Sequence, residues 1–318
     1  MCADVTDVEP NTGTSGTAET GRSGATGRTS TAGPLGARRT VPTSIGDVTC
    51  YERGAGPTLV FLHGLLVNAE LWSATVPLLA DTHRCVTLEL PLGAHPVPAP
   101  PDADLTPGGI AAAVTEVLRE RAPEGSVLVG NDTGGVFAQL VATTSPELLL
   151  GLVLASCDAY DNFLPWAVRH AQLTARVRGG VWLMVQALRL RLVRDLPVAC
   201  GWLVKHPVDA RLWQSFLGPA RVDPEVRRDL GKFLRGVSRG DTRRAARELR
   251  DFKQPTLLPW ADTNRVFPVA HAHRLAAAMP NARVRPIPDS YALVPLDQPE
   301  ALAREIRAYV AKHVPPAF

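Results

Sequence analysis

From Asp47 onward, apolar residues fall into short continuous runs separated by polar, glycine-rich and proline-rich segments. Residues 58–62 (TLVFL), 126–129 (SVLV), 151–155 (GLVLA) and 256–260 (TLLPW) are too short for helices. They match strands buried on both faces of a sheet. Residues 48–51, 85–88 and 283–287 repeat the signal more weakly. Between these runs, apolar positions recur three and four apart and predict helices over 110–121, 136–144, 271–279 and 299–313. Strands alternating with helices predict an α/β fold with a mainly parallel sheet covered by helices on both faces.

The alternation is absent from two stretches. Residues 1–42 are dominated by Thr, Gly, Ser and Ala, which bury too little surface to offset chain entropy, so a disordered tail is expected there. Residues 158–251 carry helical spacing only, notably over 181–196, with a break near Val208. They read as a helical cap inserted into a core formed by 43–157 and 252–318. Trp166, Trp182, Met184, Trp202, Trp213 and Phe216 within the cap are candidates for a pocket lining, although residues at such spacing more often serve ordinary packing.

With 318 residues, 45% of them hydrophobic, and a net charge of +3, the chain can bury a sizeable core and calls for no nucleic-acid partner. Its arginines are scattered without interleaved aromatics. The five cysteines have neither disulfide nor zinc-site spacing, which suggests a reduced, cytoplasmic protein without a metal. No apolar run reaches the roughly 18 residues that span a bilayer, and no membrane partner is expected.

The chemistry concentrates in Gly130-Asn131-Asp132-Thr133-Gly134-Gly135, between an apolar strand and an apolar helix. Small residues permit a tight strand-to-helix turn with Asp132 at its apex, above the carboxyl edge of the sheet where such folds bind ligands. Asp132 there is either a reacting group or a helix cap. His63-Gly64 follows the 58–62 run directly, where a turn would aim the Leu65 N–H at the same space as the Thr133 N–H, as in an oxyanion hole.

Taken in order, LVFLHG (59–64), LPLGAHP (90–96), LVGNDTGG (128–135), LVLASCDAYDNFLP (152–165), WADTNRVFP (260–268) and DSYALVPLDQPEALA (289–303) resemble the α/β-hydrolase family, in its haloalkane dehalogenase and epoxide hydrolase-like branch. The resemblance implies an α/β-hydrolase fold with Asp132 as nucleophile and no cofactor. It also implies a catalytic His where this chain has Tyr291, and an orienting acid where it has Asn264. Asp158 occupies an alternative position for that acid. The Trp and Asn that grip a halide in the branch are replaced by Thr133 and Leu65, which speaks against haloalkane dehalogenation. Of the other histidines, His63 belongs to the oxyanion turn beside the pocket. His170 and His206 lie in the cap and read as solvent-exposed.

A Tyr is better suited to donate a proton than to take one from water. One reading is therefore non-hydrolytic acid/base chemistry by Asp132, Tyr291 and Asn264, with Leu65 and Thr133 as oxyanion donors. Such a cyclase, lyase or isomerase would act on a largely apolar small molecule, in specialised-metabolite biosynthesis. The alternatives are a true hydrolase of an ester, epoxide or halide with a substitute base, and a silent binding protein. His63, Trp166, Trp182 and Trp213 are the expected pocket residues, and the oligomeric state is open.

Overall fold

The computed structural model describes residues 33–314. Eight strands form one sheet: β1 (Ala37–Thr43), β2 (Gly46–Arg53), β3 (Thr58–Leu62), β4 (Arg84–Leu88), β5 (Ser126–Asp132), β6 (Leu149–Cys157), β7 (Thr256–Ala261) and β8 (Ala282–Ile287). Their order across the sheet is β1-β2-β4-β3-β5-β6-β7-β8. The pairs β1·β2 and β2·β4 are antiparallel, and every other pair is parallel.

Alternation along the central strands divides the core into two layers. Val60 and Leu62 of β3, with Leu128 of β5 and Leu152 of β6, face one layer. It is closed by α2 (Pro107–Arg121), α3 (Gly134–Thr144) and α10 (Val269–Ala278). Leu59 and Phe61, with Val127 and Val153, face the opposite layer with Trp72, α1 (Val76–Leu79), α11 (Val294–Asp297) and α12 (Pro299–His313). Burial on both faces is why these strands read as unbroken apolar runs.

The segment expected as a tail up to residue 42 needs correction at its end. Residues 1–32 lie outside the described residues, but Ala37–Thr43 form β1, paired with β2 along its whole length. This edge strand buries only Val41, so it carries no apolar run. Between β6 and β7 stand α4 (His170–Thr174), α5 (Gly180–Ala187), α6 (Arg191–Arg194), α7 (Ala210–Val222), α8 (Pro224–Gly236) and α9 (Arg239–Glu248). The helical period seen over 181–196 is split between α5 and α6.

Candidate active site

Asp132 closes β5 and Thr133 opens α3, so the chain turns from strand to helix within one residue. Asp132 adopts φ +55°, a left-handed conformation that costs a residue with a Cβ roughly 1 kcal/mol or more. The turn closes because glycines allow backbone to approach backbone. A Cβ on Gly130 would stand 2.6 Å from the Gly134 carbonyl oxygen, and one on Gly64 would collide with the Asp132 carboxylate. Asn131, buried, fixes the end of β5. Its Nδ2 donates to the carbonyls of Ala155 (2.7 Å) and Ala292 (2.9 Å), tying the turn to β6 and to the loop after β8.

The His63–Leu65 turn lies against this apex. His63 is fully buried and takes the Leu90 N–H on Nε2 at 2.8 Å. The ring proton therefore sits on Nδ1 and is donated to the Gly64 carbonyl at 2.9 Å. Burial lowers its pKa to about 4, so the ring is neutral. Glu89 lies 3.8 Å from His63, which would suggest an ion pair, but burial raises the Glu89 carboxyl to about 8. Both groups are neutral near pH 7, and the approach is a contact without charge. His63 thus shapes the loop and does not line the cavity, contrary to the sequence expectation.

The turn so formed delivers the Leu65 N–H to Oδ2 of Asp132 at 3.0 Å. Burial raises the Asp132 carboxyl to about 7, and hydrogen bonds from the Thr133 and Leu65 N–H groups partly oppose it. The two amides expected to await a substrate oxyanion are engaged with the carboxylate itself. Behind them Asp158 is fully buried, accepts a long 3.5 Å hydrogen bond from the Thr133 hydroxyl, and keeps Oδ1 without a partner. Burial, and then the charge of Asp132, push its carboxyl well above the usual range.

Asp132, Leu65 and Thr133 line one end of a mainly apolar cavity of about 70 Å³, which holds several water-sized groups. Val168, Met184, Leu188, Val198 and Trp213, from the segment between β6 and β7, line it as well. Trp213 is the one expected pocket tryptophan found there. Trp166 (60% exposed) stacks edge-on against Trp202, and Trp182 (50% exposed) also faces solvent. An apolar spacing records that a side chain belongs on a face, not which face covers the site.

Tyr291 and Asn264 make their side-chain contacts elsewhere than with Asp132. Neither lines the cavity. The Tyr291 ring lies under the Arg265 guanidinium (5.1 Å) and near the Lys205 ammonium (5.8 Å). Oδ1 of Asn264 accepts the Val266 and Phe267 N–H groups at 2.9 and 2.8 Å, which shapes its own loop. His206 meets Asp289 at 3.0 Å and does not line the cavity. His170, set aside in the sequence as solvent-exposed, is exposed and also lines the cavity. Besides Asp132, the side chains with ionisable groups on the lining are His170 and Cys200, and burial raises the Cys200 thiol to about 12. Among the described residues no cluster of His, Cys, Asp or Glu is arranged to hold a metal ion.

The chain is 24% identical over 270 residues to an uncharacterized hydrolase, YugF, of Bacillus subtilis, spanning 82% of this chain and 92% of that protein. It is 34% identical over 143 residues to a fluoroacetate dehalogenase of Burkholderia sp, spanning 43% and 45% of the two. The fold matches that of the haloalkane dehalogenase DbeA from Bradyrhizobium elkani with a TM-score of 0.70 at 18% identity, over 87% of this chain and 98% of that one. A thermophilic esterase from Thermogutta terrifontis matches with a TM-score of 0.68 at 20% identity, over 87% and 100%. The model of the alpha/beta hydrolase family covers residues 59–305, from β3 into α12. With that span matched, the chain belongs to the alpha/beta hydrolase family.

Proposed function

We propose that the protein is a hydrolase working through a covalent ester on Asp132, with a small, largely apolar substrate. The Leu65 N–H on Oδ2 of Asp132, at 3.0 Å, carries the reading. Holding Oδ2 leaves Oδ1 to attack an electrophilic carbon and displace its leaving group. In the second step water adds to the carboxyl carbon of the ester, and negative charge develops on Oδ2, which the Leu65 N–H already holds. The bond between the Asp132 carboxyl carbon and Oδ1 then breaks, the product leaves as an alcohol carrying Oδ1, and the carboxylate is regenerated with the water's oxygen in its place. His170 is the water-activating base, being the one lining side chain that carries a basic group. Relatives named as a hydrolase and a dehalogenase support this class over a cyclase, lyase or isomerase. That chemistry needed the Tyr291 hydroxyl in the cavity.

The test is turnover of a panel of haloacids, epoxides and activated esters in heavy-oxygen water, followed by mass spectrometry of the peptide containing Asp132. Hydrolysis through the ester places the heavy oxygen in the Asp132 carboxylate, and Asp132→Asn abolishes turnover. His170→Gln leaves ester formation intact and lets the adduct accumulate. Turnover without label in Asp132 would show direct attack by water and sink the nucleophile. An Asp132→Asn protein as active as wild type would leave only a binding role.

A further inference from the structure

The outer face of the cap differs from the rest of the surface. Of the twelve large apolar side chains exposed among the described residues, nine lie in residues 166–198. They include Leu183 (63% exposed), Val177 (65%) and Leu192 (88%). Isolated exposed apolar residues need no explanation, but a set on adjoining short helices does. The same segment holds six arginines, Arg169, Arg176, Arg178, Arg189, Arg191 and Arg194, and a single acid, Asp195. That acid is taken by Arg191 and Arg194.

Arg176 and Arg178 also line a groove of about 460 Å³ with Arg227, Arg228 and Arg235 of α8. Val177, Val181 and Trp182 complete it, and no acidic side chain lines it. Arg228 is paired with Asp229, and Arg235 donates to the Ala175 carbonyl.

We propose that this face docks on an anionic lipid surface, with lipid phosphates in the arginine groove and Val177, Trp182 and Leu183 entering the boundary between headgroups and acyl chains. Basic side chains interleaved with Trp and aliphatic residues on short helices are the composition of an interfacial anchor. The charge selects this occupant over a second copy. A two-fold pair would set one arginine-rich face against another. Among the described residues no helix is long and apolar enough to cross a membrane, so the contact is peripheral. Val198, 44% exposed, and His170, exposed, also line the Asp132 cavity, which therefore reaches the surface on this segment. Entry of an apolar substrate from the lipid rests on the reading of that cavity as the active site. Vesicle binding does not.

The experiment is co-sedimentation of the full chain with vesicles of phosphatidylcholine alone, and of equal parts phosphatidylcholine and phosphatidylglycerol. Binding is expected to the mixed vesicles, at least about tenfold weaker to phosphatidylcholine alone, and falling as salt is raised. Tryptophan emission should shift to the blue on binding, with the shift reduced in Trp182→Phe. Arg176→Glu with Arg178→Glu, and separately Val177→Asp with Leu183→Asp, should each weaken binding about tenfold or more. These positions are exposed, and an unchanged melting temperature would confirm folding. Failure to bind anionic vesicles, equal binding to both vesicles, or indifference to both double variants overturns the proposal. So does a dimer in sedimentation velocity that Leu183→Asp dissolves, since the face would then belong to a second copy.

Discussion

At the scale of single residues, two buried carboxyls near one another cannot both ionise cheaply. The backbone N–H groups favour charge on Asp132, whereas Asp158 has one long hydrogen bond and an orphaned oxygen. At neutral pH Asp158 therefore keeps its proton, and Asp132, raised by burial to about 7, is the group that titrates. A nucleophilic carboxylate must be ionised, so kcat/KM should climb about tenfold per pH unit below this value and level off above it. Asn mimics a protonated carboxyl, so Asp158→Asn should keep the midpoint and stay within a few fold of wild-type activity. If Asp158 were instead the ionised partner of a catalytic base, the same change would cost orders of magnitude. Tyr291→Phe should also stay within a few fold, since the ring stands outside the cavity.

At the scale of elements, the β5–α3 turn and the His63–Leu65 turn work as one piece, joined where the Asp132 carboxylate covers the face of Gly64. Gly64→Ala would force that carboxylate away from the Leu65 N–H while leaving the sheet paired. Activity should fall by about a hundredfold or more, as for loss of an oxyanion donor, with little change in unfolding midpoint. A variant with wild-type activity would show that the hydrogen bond is not used. The glycines, Asp132 and the two turns were legible in the sequence because each serves a backbone demand that few residue types meet. The central strands were legible because burial on both faces leaves a continuous apolar run. β1 was not, since an edge strand buries one side chain in a row of polar ones. Tyr291 and Asn264 hold the expected places in chain order, but a motif fixes where the backbone passes and not where a side chain points. Arg265 and Lys205 hold the Tyr291 ring, and two backbone N–H groups hold Asn264.

At the scale of the whole molecule, the buried ionisable groups set how stability depends on pH. Burial raises Glu89 to about 8 and Asp132 to about 7, and raises Asp158 as well. Each keeps a proton in the folded state that the unfolded chain releases above about pH 4, so each lowers the free energy of unfolding as pH rises to its folded pKa, by about 1.4 kcal/mol per unit. His63, lowered by burial to about 4, acts with the opposite sign between about 4 and 6.5, where only the unfolded chain binds its proton. The opposing slopes partly cancel below about pH 6.5. Above it His63 is neutral in both states, and only the carboxyls still act. With three carboxyls against one histidine, the urea midpoint should therefore fall already between about pH 5 and 6 and fall further from pH 6 to pH 8. Glu89→Gln keeps the neutral shape of the protonated acid and should shrink that fall by about one group's share. If Glu89 were instead ionised against a protonated His63, the substitution would destabilise the protein already at pH 6, leaving the charged His63 buried without a partner. Denaturation of wild type and Glu89→Gln at the two pH values separates these cases.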